Sequence, residues 1–143
     1  ANVIPDSFKT DLLKGTFNFD SSGGSTFKLA LYTDISGLTT STTAFTATNE
    51  VCTSGTSYSS GGNTLTNNGV AVSSNIAFVD FADLTFSSVT LSAVGALIYK
   101  SGGSNEAVLV LDFGGTKTAT NGDFVVQFPT ASNSAAIIRL GNA

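Results

Sequence analysis

Short apolar runs separated by pairs of small turn-forming residues are the feature that most limits how this chain can fold. TFKLALYT, IAFVDFADLTF, VTLSAVGALIY, AVLVLDF, FVVQF and AAIIRL are each rich in Val, Ile, Leu or Phe. Between or beside them stand Gly23-Gly24, Gly61-Gly62, Asn67-Asn68-Gly69, Gly102-Gly103, Gly114-Gly115 and Asn121-Gly122. The first run alternates, with Phe27, Leu29 and Leu31 on one face and Lys28, Ala30 and Tyr32 on the other; Ala77, Val79 and Phe81 oppose Phe78 and Asp80 in the same way. Asn-Gly ahead of a strand is the strongest local hairpin signal, because both central residues of a type I′ turn need positive φ. A parallel α/β fold would need a helix-length crossover between strands, and none is present. The pattern therefore predicts a mainly β chain of about seven or eight short strands. The expected architecture is a single-domain antiparallel β-sandwich or jelly-roll-like fold with a short N-terminal helix. AVLVLDF, nearly continuous in apolar residues, is expected at the centre of its sheet, and Ile35 to Asn49 as an extended loop or an edge strand.

The helix is read from IPDSFKTDLLKG. Pro5 suits a first turn, Asp6 and Asp11 favour its N-terminal half, and Gly15 can take the left-handed cap. Two turns are marginal alone, so the apolar residues must dock. This divides the chain into an N-terminal arm or short helix, residues 1–15, and a β-sandwich domain, residues 16–143. Val3, Ile4, Phe8, Leu12 and Leu13 are the candidate docking residues of the arm, either on a neighbouring subunit or as a cap on the open end of the sandwich. Tyr58 joins them as a ring that packs on the sheet or on a neighbour.

The chemistry available is narrow. With no histidine, Ser/His and Cys/His nucleophile pairs are excluded, and with one cysteine besides a zinc site is implausible. Ten acidic residues permit a glycosidase pair by arithmetic, but they fall mostly in turns and no Trp lines a sugar platform. Asp80 and Asp83 are too sparse for a calcium loop, and GGTKT at 114–118 lacks the spacing of a phosphate loop. The expectation is no enzyme, no metal and no cofactor. Cys52, in EVCTSGTSYSSGGNTL (50–65), has no nearby cation to activate it and reads as a small semi-buried side chain ending a strand from Thr48 to Cys52. A net charge of −4 with scattered basic residues disfavours nucleic acid, and no apolar run is long enough for a membrane helix. Ala1 is what removal of an initiator Met would leave, and nothing near it reads as a secretory signal. Charged residues make up only 11% of the chain, so its polar surface rests on Ser, Thr, Asn and Gly, a composition suited to packing against protein.

The order KLALYT, NEV, GGNTL, ADLTF, AVGALIYK, LVLDFGG and NGDFVVQFP, over residues 27–129, resembles a family of small proteins encoded by tailed bacteriophages, especially those of marine bacteria. The resemblance implies a β-rich virion structural protein, assembled in the host cytoplasm and located in the virion. It further implies a capsid decoration or cement role, with the major capsid protein or other virion proteins as partners and a homo-oligomeric state. The alternatives are a neck or tail component, or a receptor- or carbohydrate-binding β-sandwich. By the same resemblance Glu50, Val51, Gly61, Gly62 and Leu65 form one structural turn, and Asp112, Phe113, Gly114 and Gly115 another. Three positions depart from the family pattern: Cys52 replaces a small residue, Phe86 a Trp, and Ser57 a Gly ahead of Tyr58.

Overall fold

The turn at Gly102-Gly103 reverses the chain between its two longest strands and sets the architecture of the whole molecule. The computed structural model describes residues 1–141. After helix α1 (Asp6–Leu13) come β1 (Phe27–Tyr32), β2 (Asn63–Thr64), β3 (Asn67–Ser73), β4 (Ile76–Phe81), β5 (Leu84–Lys100), β6 (Ala107–Val126) and β7 (Ile138–Leu140). They form two antiparallel sheets, one in the order β2-β1-β5-β6 and a smaller one in the order β3-β4-β7. The fold is mainly β in one domain, as the alternation predicts.

Seven strands form, within the expected seven or eight, but their bounds differ from those of the apolar runs for a local reason. The second half of IAFVDFADLTF runs on into VTLSAVGALIYK as β5, and AVLVLDF continues into FVVQF as β6, so the latter two expected strands are one. Gly114-Gly115 and Asn121-Gly122 do not reverse the chain. Gly95 pairs with Asp112 and Ala93 with Lys117, so residues 113–116 bulge out of the ladder; a second irregularity lies between the pairs Val89–Gly122 and Leu91–Ala119. Left-handed backbone at Gly114 serves a bulge as readily as a hairpin. Conversely IAFVDFADLTF is broken at Ala82-Asp83, between β4 and β5.

AVLVLDF is a second correction: β6 lies at the end of its sheet, yet Ala107–Leu111 is buried throughout. Its outer edge is covered by Val3, which exchanges two backbone hydrogen bonds with Val110 (3.0 and 2.8 Å). Both faces of the larger sheet are covered too. On one, Phe27, Leu29, Leu31, Ile98 and Leu109 meet Val79, Phe81 and Ile138 of the smaller sheet in the main core. On the other, Ala30, Tyr32, Leu97, Tyr99 and Val110 pack under Leu38 with Ile35 and Phe45. Residues 35–49 are thus a covering loop whose one ladder pairing among the described residues is the bridge Ala44–Glu106, not an edge strand, and they explain why Ala30 and Tyr32, on the face shared with Lys28, are buried.

The helix forms where expected, with Pro5 as its N-cap rather than inside its first turn. It ends in a Schellman motif: Thr16 N–H donates to Asp11 C=O (3.0 Å), Gly15 N–H donates to Leu12 C=O (3.2 Å), and Gly15 has φ +79°. Phe8 enters a file of rings, 5.0 Å from Phe17 and 6.2 Å from Phe19; Phe19 stacks on Phe27 at 4.7 Å, and Phe27 meets Phe81 at 5.7 Å.

Candidate functional site

Glu50 organises the Gly/Ser/Thr-rich segment 50–65. It follows the covering loop, where its backbone bridges Tyr32, and its side chain turns back over residues 58–61. Oε2 accepts the Tyr58 hydroxyl (2.7 Å) and the Gly61 N–H (2.6 Å), and Oε1 accepts the Ser60 hydroxyl (2.9 Å). The Tyr58 hydroxyl in turn accepts the Leu31 N–H at 3.0 Å, tying the loop to β1. Next in the chain, Tyr99 donates to Gly61 C=O at 2.7 Å. A half-buried carboxylate holding three donors is a clamp of charge-assisted bonds. Together these bonds fix the loop against β1.

Gly62 is required for that closure. A Cβ there would stand 1.8 Å from Leu29 C=O, and its φ is +76°. Ser57 is also left-handed, at φ +62°, where a serine is strained. Ser57→Gly is expected to raise stability by about 0.5–1 kcal/mol, the left-handed strain relieved less the entropy glycine adds to the unfolded chain. An unchanged or lower midpoint in urea unfolding would contradict this.

Glu50 also acts on the tyrosines. Burial, then the hydrogen bond to Glu50, pushes the Tyr58 phenol well above its ordinary value of about 10; burial and the Glu50 charge do the same for Tyr32 and Tyr99. The folded state holds these protons more tightly than the unfolded chain. Their contribution to stability is complete below about pH 10 and falls as pH rises beyond it. Followed by tyrosinate absorbance, the three tyrosines are expected to ionise together as the protein unfolds in alkali. Independent ionisation near pH 10 in a chain still folded by circular dichroism would contradict this.

The six sequence-derived docking residues separate clearly. Phe8 and Tyr58 are each 3% exposed and belong to the core of their own domain. Ile4 and Leu12 are partly buried against that core, and Val3 packs against the second cluster. Leu13 alone stands in solvent, 85% exposed. Cys52 is exposed rather than semi-buried, because Thr48 to Cys52 makes no strand beyond the Glu50 bridge.

Two surface features were not legible in the sequence. One is an open groove of about 370 Å³ beside the bulge of β6, lined by Phe113, Lys117, Asp123, Phe124, Val125 and Gln127 among others. The other is an apolar row on the smaller sheet. Val70 and Val72 of β3 lie on the same face as Val79 and Ala77 of β4, with which they pair, and Ala77 pairs with Leu140 of β7. This is the face that forms the core at Val79, but Val72 (71% exposed) and Leu140 (60%) lie beyond the reach of the larger sheet. Glu106 Oε1 is buried without a hydrogen-bond partner, and among the described residues no cluster of three or more metal-ligating side chains surrounds it or any other group. No helix among them is long and apolar enough to cross a membrane. No family model, no curated protein and no solved structure matches this chain.

Proposed function

We propose that this chain is a non-enzymatic virion structural protein of a tailed bacteriophage, decorating or cementing the capsid. The observation that carries the reading is the surface: apolar Val70, Val72 and Leu140 stand exposed on one face of one sheet, in a chain with only 11% charged residues. Such a surface favours a protein neighbour, since burying it desolvates few charges. The Glu50 clamp supports the same reading, for it holds a Gly/Ser-rich loop against the sheet without presenting the carboxylate to a ligand. The resemblance of the order of short motifs over residues 27–129 to small tailed-phage proteins is the reason for choosing a virion as the assembly. The groove beside Phe113 and Phe124 favours one alternative, a receptor- or carbohydrate-binding β-sandwich module. Counting the chain in purified particles by quantitative mass spectrometry against the major shell protein tests both. Hundreds of copies per particle are expected for decoration. A few tens or fewer would indicate the neck or tail, and absence from the particle would overturn the virion reading.

A further inference from the structure

We propose that β3 is a self-association strand, pairing antiparallel with β3 of a second copy about a two-fold axis at Ala71. β3 closes one end of its sheet, and among the described residues the backbone of Val70 to Ser73 makes no ladder except with β4. An exposed strand edge is normally protected by charge, proline or a covering element. Residues 67–76 contain neither a charged residue nor a proline. The bulge at its start, between the pairs of Asn67 and Gly69, leaves the four following residues in regular register.

The occupant is identified by the strand's own sequence. NNGVAVSSN, residues 67–75, reads nearly the same in both directions about Ala71. Antiparallel pairing centred there sets Ala71 opposite Ala71 of the second copy, Val70 opposite Val72 and Gly69 opposite Ser73, all within β3. Directly opposed residues share a face, so each valine meets a valine, a favourable cross-strand pair. The exposed row Leu140–Ala77–Val72 then continues into Val70, Val79 and Ile138 of the second copy, joining the open face of one small sheet to the core side of the other. No like charges oppose one another across the axis. The contact is isologous and closes at two copies, since each β3 has one free edge. A single strand pair is small for a protein interface, so association belongs to the micromolar range or weaker and is strengthened where many copies are held together.

This inference does not rest on the virion reading: it concerns the purified chain, and a failed particle count leaves it standing. The test is sedimentation velocity of the full chain over a wide concentration range, with Ala71→Lys and Ala71→Asp, both at an exposed position. The wild type is expected to move from monomer to dimer as concentration rises. Each variant alone places two like charges directly opposite and is expected to remain monomeric, while an equimolar mixture of the two restores the dimer. Val72→Lys, on the other face, is expected to abolish association with the β spectrum intact. A wild type that stays monomeric throughout, growth beyond two copies, variants that associate like the wild type, or a mixture that remains monomeric would each overturn the proposal.

Discussion

Replacing Phe8 by alanine is expected to cost about 3–5 kcal/mol, the range for removing a buried aromatic ring from a packed core. The ring is nearly inaccessible and starts the file through Phe17, Phe19 and Phe27 to Phe81, which connects the helix to both sheets. The gap cannot close easily, because the helix is also fixed from outside: Asp6 N–H donates to Thr40 C=O (2.9 Å) and the Ser7 hydroxyl donates to Thr42 C=O (3.1 Å). Leu13→Ser, five residues on but exposed, is expected to change stability by no more than about 0.5 kcal/mol. Deleting residues 1–15 removes Phe8 together with the Val3–Val110 pairing that covers the edge of β6, and is expected to lower the melting temperature further than Phe8→Ala. A truncated chain that keeps its melting temperature and loses only association would show the segment to be an arm for a neighbouring subunit.

The second large effect is expected at Gly62. Gly62→Ala is expected to cost more than about 3 kcal/mol, because left-handed strain and collision with a backbone carbonyl act together. Gly55→Ala is the control: its φ of +74° is nearly the same, but nothing lies within 4 Å of the added carbon, so only about 1–2 kcal/mol is expected. The difference in urea midpoint between the two variants measures how tightly the loop is pressed onto β1. Equal midpoints would mean that the loop rides above the sheet and that the bonds to Glu50 do not hold it down.

Period-two alternation made the sheets legible, since Phe27, Leu29 and Leu31 pack into the same core as Val79 and Phe81 on the two sheets. The helix was legible for a similar reason: Asp6, Phe8 and Gly15 lie within one short window and act on one another locally. Strand length was not legible, because Gly114-Gly115 and Asn121-Gly122 are compatible with reversal or with a bulge, and only long-range pairing with β5 decides between them. The second core under Leu38 and Phe45 was hidden as well. Its cover is a Ser/Thr-rich loop whose apolar residues are too few and too irregular for a periodic pattern. Glu50 could be read as one residue of a turn, but its role as acceptor for Tyr58, Ser60 and Gly61 arises from the path of the loop, which no spacing encodes. Val70 and Val72 were hidden for a further reason: between Asn67-Asn68-Gly69 and Ser73-Ser74 they form too short an apolar run to mark a strand, so neither β3 nor the exposure of its valines was visible.

A cryo-electron microscopy map of the assembled particle tests the central claim, a charge-poor β-domain that works by assembly, most directly. The expected map shows many copies of the domain on the shell. In each, α1 is folded back on its own β6 with Phe8 inside, the loop 50–65 is closed over Glu50, and β3 is in contact with protein rather than solvent. A particle without the domain, or with β3 facing solvent in every copy, would contradict it.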